Sequence, residues 1–403
     1  MSFLDKILDD ATVEWKPLGE VANLSRGRVM SKEYLIDNAG EYPVYSSQTV
    51  NNGEIGKINS YDFEGEGVTW TTDGANAGTV FFRKDKFSIT NVCGLIKIKD
   101  LEKLNYKFLF YWLSIEAKKH VYSGMGNPKL MSNQMTKIQI PIPCPNNPKK
   151  SLEIQQKIVG ILDKFTELTA ELTAELTAEL TARKMQYSYY REKLYHFDKN
   201  KVQHLPMDDE SIGVFQRGKR FVKTDLISEG VPVIHYGEMY THYGTWADRT
   251  KSFLSEELVK SKNLRVAQKG DVVIVAAGET IEDIGMGTAW LGEEGVVIHD
   301  ACFSYKTSLN PKFVAYFTRT KQFHDQIKKH ISSGKISAIN ARGLGKALIP
   351  VPSQEEQERI VSILDKFDTL TNSIREGLPK EIELRKKQYE YYRDLLLAFP
   401  QDN

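Results

Sequence analysis

Apolar residues recur every three or four positions in two long segments of the chain, a spacing that predicts amphipathic helices. In the first segment the recurring residues are Ile158, Ile161, Leu162, Phe165, Leu168, Leu172, Tyr187, Tyr190, Leu194 and Phe197. In the second segment they include Tyr389, Tyr392, Leu396 and Phe399. At roughly 45 residues, each helix would be about 65–70 Å long. Two helices of that length with apolar seams are predicted to pack on each other as an antiparallel coiled coil.

These two segments are copies of one another, so the chain contains an internal repeat. The matching stretches, first copy and then second, are IVGILDKFTEL at 158–168 with IVSILDKFDTL at 360–370, RKMQYSYYREKL at 183–194 with RKKQYEYYRDLL at 385–396, and IPIP at 140–143 with IPVP at 349–352. The two helical pairs share an offset of 202 positions, from 158 to 360 and from 183 to 385. The looser matches lie upstream and are SRGRV at 25–29 with QRGKR at 216–220, and EYPVYSS at 41–47 with GVPVIHYG at 230–237. The order is therefore variable block, shared helix, variable block, shared helix.

The variable blocks carry short strand-like runs separated by turn residues. Examples are GVTWTT at 67–72, GTVFF at 78–82, DVVIVAA at 271–277 and GVVIHDACFSY at 295–305. The predicted fold class is mixed α/β: two globular domains separated by two long antiparallel coiled-coil helices, in a pseudo-two-fold internal repeat. The predicted boundaries are 1–150 for the first globular domain, 151–199 for the first helix, 200–352 for the second globular domain and 353–403 for the second helix.

The first helix contains the four residues Thr-Ala-Glu-Leu three times in full, at 169–172, 173–176 and 177–180. Because protein cores are packed irregularly, a repeat of one helical turn indicates that the length of the helix itself matters. Each unit adds roughly 6 Å of helix and a rotation of about 40°. The alternative is a slippage-prone coding repeat that forms a tolerable helix. Gly377 and Pro379 are predicted to break or kink the second helix at the corresponding stretch.

The composition is that of a globular protein: 403 residues, 41% of them apolar and 27% charged. The formal net charge is only +1, whereas a protein that grips nucleic acid alone is usually more basic. Any charge that binds DNA must therefore be local, or a partner must supply the rest. The three cysteines Cys93, Cys144 and Cys302 show no CxxC spacing, which argues against a zinc site and fits a reducing cytoplasm. Apolar runs are too short to cross a bilayer, and the acidic N-terminus does not resemble a signal peptide.

Motifs for catalysis or nucleotide binding are missing from the sequence. GVFQRGK at 213–219 fits the glycine and lysine positions of a P-loop, but Arg220 stands where Ser or Thr should hold magnesium. NPKF at 310–313 is the nearest approach to the catalytic Asn-Pro-Pro-aromatic turn of a DNA methyltransferase, and its lysine breaks the pattern. HExxH, GxSxG and metal-spaced His or Cys clusters are absent. The sequence therefore favours a binding protein over a catalyst.

The two variable blocks and the repeated helices resemble the DNA-specificity subunit of type I restriction–modification systems. The matching stretches are IPIP…IQQKIVGILDKF, IPVPSQEEQERIVSILDKF, WKPLGEV at 15–21 and GVPVIHYGEM at 230–239. The Thr-Ala-Glu-Leu run resembles the spacer helix of the type IC branch. The resemblance implies that each variable block is a target recognition domain reading one half of a split site in double-stranded DNA.

The same resemblance implies the partners and cofactors of the chain. The helices would set the distance between the half-sites and dock two methylase (modification) subunits. Motor-nuclease (restriction) subunits would complete the full complex. S-adenosylmethionine would be bound by the methylase subunits, and ATP and Mg by the motor-nuclease subunits, with no cofactor in this chain.

Polar and basic side chains of the variable blocks are the candidates for contacts with DNA, because such side chains read bases and phosphates. In the first block they are Arg26, Arg28, Ser47, Gln48, Thr72, Asn76, Asn127, Lys129 and Asn133. In the second block they are Arg217, Lys219, Arg220, Lys223, His235, Tyr236, Arg249, Lys251, Lys335 and Arg342. QRGKR at 216–220 is the densest basic cluster and the first choice. The alternative for each arginine is an ordinary surface charge, and the tyrosines of the helical seams are predicted to pack rather than to stack on bases.

The leading interpretation is a non-catalytic specificity subunit for a bipartite DNA site, which should be asymmetric because the two variable blocks differ in sequence. A coiled-coil adaptor whose end domains bind proteins is the alternative. It predicts no sequence-specific DNA binding even when a methylase is present. A self-contained methyltransferase is disfavoured by the missing motifs.

Overall fold

The computed structural model describes residues 3–124, 126–334, 336–373 and 376–400. The chain divides into two compact units, which we call unit 1 (Met1–Glu175 with Ile382–Asn403) and unit 2 (Leu176–Glu381). Each unit thus combines one variable block with helical segments from both copies of the repeat. The division between Glu175 and Leu176 falls inside the Thr-Ala-Glu-Leu repeat.

The first variable block folds into short helices and strands. They are α1 (Phe3–Leu8), β1 (Val13–Pro17), α2 (Leu18–Val21), β2 (Ala22–Arg26), α3 (Lys32–Asp37), β3 (Ala39–Tyr45), β4 (Glu54–Ile58), β5 (Phe63–Glu64), β6 (Gly67–Thr71), β7 (Val80–Arg83), β8 (Lys86–Ile89), β9 (Cys93–Ile98), α4 (Tyr106–Glu116), α5 (Ser132–Met135) and β10 (Gln139–Pro143). Two 3₁₀ helices, Val50–Gly53 and Ala117–His120, lie among them. The long helix α6 (Pro148–Leu194) follows.

The second variable block repeats this arrangement with more strands. Its elements are β11 (His204–Pro206), β12 (Gly213–Arg217), β13 (Val231–Ile234), α7 (Glu238–Thr241), β14 (Trp246–Ala247), β15 (Ser252–Leu254), α8 (Glu256–Ser261), β16 (Val266–Ala267), β17 (Val272–Val275), β18 (Ala277–Gly278), β19 (Gly287–Trp290), β20 (Val296–Ile298), β21 (Cys302–Thr307), α9 (Pro311–Phe317), α10 (Lys321–Ile327), β22 (Ser337–Ala338), α11 (Ala341–Gly345) and β23 (Leu348–Pro350). The 3₁₀ helices are Lys223–Asp225, Ile281–Asp283 and Lys328–His330. Helices α12 (Gln354–Asn372) and α13 (Leu378–Leu396) follow the second variable block.

The two blocks share one sheet framework, which confirms the predicted mixed α/β class. Unit 1 contains a sheet ordered β2-β9-β6-β7 and a second ordered β4-β3-β8-β5. Unit 2 contains a sheet ordered β12-β21-β17-β19-β14 and a second ordered β15-β13-β20-β16. In each second sheet the central pair is parallel, β3 with β8 and β13 with β20. The weak upstream matches in sequence therefore mark equivalent strands.

Two predicted strands are wrong. The run at 271–277 is divided into β17 and β18, which belong to different sheets. The run at 295–305 is divided into β20 and β21, which also belong to different sheets. The backbone turns between them, where Cys302 N donates to the carbonyl of His299. The sequence interpretation joined the apolar residues on the two sides of the turn into one strand, although His299 and Asp300 stand between them. The turn matters because it lines the cleft described below.

Each unit buries its own apolar core. In unit 1 the main core includes Trp70, Phe108, Trp112 and Ile158, together with Phe399 from the end of the chain. The indole nitrogen of the half-buried residue Trp15 also donates to the carbonyl of Pro400 at 3.0 Å. The largest core cluster of unit 2 is built around aromatic residues of α9 and includes Tyr195, Tyr305, Phe313, Tyr316 and Phe317. These separate cores explain why the units are compact individually.

The helices agree with their apolar pattern and differ in continuity. Helix α6 runs without a break for 47 residues through the repeat. In the second copy α12 ends at Asn372 and α13 begins at Leu378, with Gly377 between them at φ +85°. This confirms the predicted break, because Gly377 takes a left-handed conformation and Pro379 follows at the second position of α13.

The predicted helical period extends slightly beyond the C-terminal end of each of the two long helical segments. Helix α6 ends at Leu194 and α13 at Leu396, so Phe197 and Phe399 lie beyond them. The last turn after α6 tightens, because Tyr195 N and His196 N each bond to a carbonyl three residues earlier. Both phenylalanines still pack against the cores, which is why their spacing resembles a helical one.

Tyrosines of the helical seams pack, as predicted, and the two units use equivalent pairs. In unit 1 Tyr392 stacks on Phe165 at 5.7 Å, and the Tyr389 hydroxyl lies 3.0 Å from the Thr166 hydroxyl. In unit 2 the corresponding residue Tyr190 stacks on Phe367 at 5.5 Å. Segments from the two copies of the repeat therefore contact each other within each unit.

An aspartate in the shared LDKF sequence fastens each block to its helix. Asp163 on α6 accepts hydrogen bonds from Lys107 Nζ at 2.6 Å and from the Tyr111 hydroxyl at 2.8 Å, both on α4. Asp365 on α12 accepts the equivalent bonds from Lys312 at 2.8 Å and Tyr316 at 2.7 Å, both on α9. The aspartate and its lysine and tyrosine partners together form what we call the LDKF clamp. The clamp explains why the sequence LDKF occurs in both copies of the helix.

Candidate nucleic-acid interface

A cleft of about 480 Å³ in unit 2 gathers five of the predicted residues. We call it the basic cleft. Its lining consists of Arg217, Arg220, Phe221, Val222, Lys223, His235, Tyr236, Ala277, Gly278, Glu279, His299, Asp300, Ala301 and Ile336. The predicted members Arg217, Arg220 and Lys223 are exposed, so their charges face solvent.

The carboxyl ends of β12, β13 and β20 build this cleft. Arg217 is the last residue of β12, His235 follows β13, and His299 follows β20. The backbone at Gly218 lies directly against the turn that follows β20. A Cβ at this position would lie 2.2 Å from the His299 carbonyl oxygen, so only glycine fits. The arginine and its neighbouring basic residues are therefore held against the turn that divides β20 from β21.

Two histidines form the floor of the cleft. The rings of His235 and His299 lie 4.9 Å apart, and Phe221 and Tyr236 flank them. Burial lowers the pKa of His235, and the neighbouring His299 lowers it further. Burial also lowers the pKa of His299, against the opposing effect of Asp300. Neutral rings at this position can donate and accept hydrogen bonds without adding charge.

The equivalent place in unit 1 holds a closed network of polar groups. Arg26 Nη2 donates to Thr72 Oγ1 at 2.9 Å and to the carbonyl of Asn91, and it lies 3.5 Å from Asp73 Oδ2. Thr72 is fully buried and donates to Asp73 at 2.5 Å. Lys129 Nζ lies 4.0 Å from the same carboxylate. Thr72 thus serves the network rather than presenting its hydroxyl to solvent.

Arg28 is also paired within unit 1. Its Nε lies 3.0 Å from Asp62 Oδ2, and its guanidinium lies 4.9 Å from the centre of the Tyr34 ring. A hydrogen bond with Tyr34 and the pairing with Asp62 together raise the pKa of Arg28. Both predicted arginines of unit 1 therefore have carboxylate partners.

The remaining predicted residues differ in exposure. In unit 1, Ser47, Gln48 and Asn76 are half-buried, and Gln48 donates to the Glu54 carbonyl. Asn127 and Asn133 are exposed. In unit 2, Lys219 donates to the Lys262 carbonyl at 3.5 Å.

Three other predicted residues of unit 2 are exposed and line no part of the basic cleft. They are Arg249, Lys251 and Arg342. The backbone nitrogen of Lys251 donates to the Tyr243 hydroxyl at 3.0 Å. Lys335 lies outside the described residues.

Sequence reasoning missed the residues that control the environment of the arginines. In unit 2 these are Phe221, His299 and Asp300, whose carbonyl accepts from Arg217 Nε at 2.9 Å. In unit 1 the missed residue is Asp73, next to the predicted Thr72. The histidine and aspartate in GVVIHDACFSY interrupt an apolar strand, and that interruption was a usable signal.

The described residues contain neither a metal-ligand cluster nor a membrane-spanning helix. Among the residues described above, no group of three or more His, Cys, Asp or Glu side chains could hold a metal ion. No helix within those ranges is long and apolar enough to cross a membrane. Burial raises the pKa of Cys93 and of Cys302 to about 12, so neither thiol is a reactive nucleophile.

Comparison with known protein families shows to which family this chain belongs. The profile of the type I restriction modification DNA specificity domain matches the chain twice, over residues 11–182 and 210–384. This chain belongs to that family. Each matched specificity domain contains one of the two arginine sites, Arg26 in the first and Arg217 in the second.

Full-length relatives agree with this assignment. The specificity subunit of the type I restriction enzyme EcoR124I/EcoR124II of Escherichia coli is 34% identical over 419 residues, covering 99% of this chain and 98% of the relative. A putative type I restriction enzyme specificity subunit of Haemophilus influenzae is 35% identical over 413 residues, covering 99% and 98%.

Solved structures show the same fold at low sequence identity. A chain from the structural work on complex assembly and conformational transition of the type I R-M system matches with a TM-score of 0.67 at 15% identity, covering 96% of this chain and 97% of that one. The HsdS subunit of Thermoanaerobacter tengcongensis matches with a TM-score of 0.50 at 15% identity, covering 96% and 95%. The specificity-subunit fold therefore persists where few residues are shared.

Proposed function

We propose that this chain is the non-catalytic DNA-specificity subunit of a type I restriction–modification complex and that it reads a bipartite, asymmetric site. The observation that carries the proposal is the duplicated specificity domain, in which one sheet framework presents different side chains at equivalent places. Arg26 is enclosed by a polar network, whereas Arg217 borders an open basic cleft. Two different reading surfaces on one chain suit two different half-sites.

Local charge supports DNA as the ligand despite a net charge of only +1. Among the described residues, none of Arg217, Arg220 and Lys223 forms an ion pair, so these charges remain available for phosphates or bases. Aromatic and imidazole rings line the cleft beside these charges. Because the net charge of this chain is small, partner subunits would supply the further contacts with DNA phosphates.

The helices would set the spacer between the half-sites. The ring contacts within each unit support pairing of the two helical copies as an antiparallel coiled coil. The Thr-Ala-Glu-Leu units lie in the uninterrupted α6, and the division between the compact units falls among them. We assign them the role of a type IC-like spacer whose length is counted in whole units.

The same helices would dock two methylase subunits. Tyr189 and Tyr391 occupy equivalent positions in the two copies, and they are 59% and 62% exposed. Their neighbours Tyr190 and Tyr392 face the seam instead. A large aromatic side chain left in solvent at both copies is suited to anchor the same partner twice.

In this complex the chain itself would carry no cofactor. S-adenosylmethionine belongs to the methylase subunits, and ATP and Mg to the motor-nuclease subunits. The contribution of this chain is then to position the methylase over one DNA sequence rather than another.

Base-resolution mapping of adenine methylation in genomic DNA tests the proposal. Cells would express the methylase of the same system with or without this chain. The expected result is a split motif that appears only with the chain and has two different halves separated by a fixed spacer. Unchanged methylation, with both proteins expressed and associated, would instead favour an adaptor without sequence-specific DNA binding.

A further inference from the structure

Arg26 and Arg217 occupy the same position in the two specificity domains. Arg26 pairs with Gly94 at the end of β2, and Arg217 pairs with Phe303 at the end of β12. Each arginine also donates to a carbonyl three residues before its paired residue, Asn91 in unit 1 and Asp300 in unit 2. The backbone therefore places the two arginines at equivalent positions, although the donating nitrogen is Nη2 in Arg26 and Nε in Arg217.

The surroundings of the two arginines differ at one neighbouring strand. Strand β6 places Thr71 opposite Cys93, and β17 places Val275 opposite Cys302. Thr72 and Asp73 in unit 1 therefore correspond to Ala276 and Ala277 in unit 2. The next backbone contacts agree, because the carbonyl of Thr72 accepts from Leu130 N and that of Ala276 accepts from Ile339 N.

Replacement of threonine and aspartate by alanine changes what the arginine can do. In unit 1 the η nitrogens of Arg26 are occupied by Thr72, Asn91 and the sulfur of Met131, beside the carboxylate of Asp73. In unit 2 only Nε of Arg217 is occupied, by the Asp300 carbonyl at 2.9 Å. Within the described part of the chain, both η nitrogens of Arg217 lack a polar partner.

We propose that Arg217 reads a guanine base in the half-site of unit 2, whereas Arg26 is a positioning residue that holds its strand ends together. The proposal rests on the DNA-reading function proposed above. Two parallel N–H groups of a guanidinium match O6 and N7 of guanine in the major groove. The bond from Nε fixes the side chain, so less rotamer freedom is lost when the base binds. A carboxylate at position 277 would compete for the same N–H groups, as Asp73 does for Arg26.

Binding of the chain–methylase complex to fluorescent duplexes tests this assignment. The duplexes carry the motif found by methylation mapping, with each base pair replaced in turn. Low ionic strength keeps weak, sequence-independent binding measurable for every variant. We expect one G·C pair in the half-site of unit 2 at which the wild type discriminates by roughly 10- to 100-fold, the range of a bidentate contact.

Two variants should remove the preference for this G·C pair and leave every other base preference unchanged. Arg217→Lys keeps the charge but replaces the planar fork of N–H donors by one flexible ammonium group, and Ala277→Asp occupies the guanidinium with a carboxylate. Ala277→Asn is the matched control, since it adds the same bulk without charge and should retain most of the preference. Discrimination at the half-site of unit 1 should stay unchanged in all three, which also shows that the chain is folded.

The outcomes separate this inference from the proposed function. A wild-type complex with no sequence preference at all would contradict the proposed function. A wild type that discriminates, with Arg217→Lys and Ala277→Asp keeping every base preference, would overturn only the role of Arg217. If Arg217→Lys instead weakened binding to all duplexes equally, the role of Arg217 would also be overturned, because a uniform loss of affinity is typical of a phosphate contact.

Discussion

Deleting one Thr-Ala-Glu-Leu unit, residues 173–176, should shorten the DNA spacer by one base pair. The helix that contains this unit is continuous from Pro148 to Leu194, so a deletion of one whole unit leaves it helical. The second copy is interrupted between Asn372 and Leu378 and can absorb the change in the length of its partner. The deletion therefore acts on the separation and rotation of what lies at the two ends of α6.

The magnitude follows from helix geometry. Four residues remove about 6 Å of length and about 40° of rotation. One base pair of B-DNA accounts for roughly 34–36° of rotation and about 3.4 Å. Rotation decides the outcome, because a reading domain must stay aligned with its groove, whereas a spacer helix inclined to the duplex projects less than its full length. Deleting a single residue changes the rotation by about 100° and should abolish methylation of any split motif.

Methylation mapping of the variant gives the answer directly. Both half-site sequences should be retained with a spacer one base pair shorter. Replacing Thr169 and Thr173 by alanine is the control, since it alters the sequence of two units at constant length and should leave the spacer unchanged. An unchanged spacer after the four-residue deletion would refute the counting argument and leave the repeat as a tolerated coding feature.

Three further predictions concern stability and assembly. Asp365→Ala should lower the free energy of unfolding by ~3 kcal/mol and Asp163→Ala by ~1–2 kcal/mol in urea titrations, because both remove an LDKF clamp. Among the described residues, the clamp tyrosine of unit 1 keeps a second partner, a threonine hydroxyl at 3.3 Å, and that of unit 2 does not. Equal losses would contradict the role of the second partner, and no loss in either variant would contradict the clamp. His299→Gln should reduce the loss of folding stability in acid. Burial lowers the pKa of His299 in the folded chain below its ordinary value of 6.5. The unfolded chain therefore binds the proton first, and the wild type loses stability as the pH drops below about 6.5. Urea midpoints at about pH 7.5 and about pH 5.5 check this, and an equal drop in both proteins would disprove it. Tyr189→Ala and Tyr391→Ala should each remove one methylase subunit from the purified complex by mass photometry, whereas two subunits retained in both variants would rule out these anchors.

The sequence determined the elements whose information is local. The period of the apolar residues located the long helices, and the 202-residue offset revealed the repeat. Gly377 and Pro379 marked the break in the second copy because their backbone preferences do not depend on tertiary contacts. QRGKR was found as a basic cluster by composition alone, and the structure places its Arg217 and Arg220 in the basic cleft.

Tertiary structure decided what surrounds each candidate residue. Sequence placed Arg26 and Arg217 in similar short motifs and ranked Arg217 first only because more basic residues surround it. Only the pairing of β6 with β9 and of β17 with β21 brings Asp73 beside one arginine and Ala277 beside the other. These partners lie some tens of positions away along the chain, and the availability of an N–H donor depends on such partners rather than on the residue that carries it. The sequence thus reveals two similar domains, and equivalent strand pairing places a carboxylate beside one arginine and an alanine beside the other.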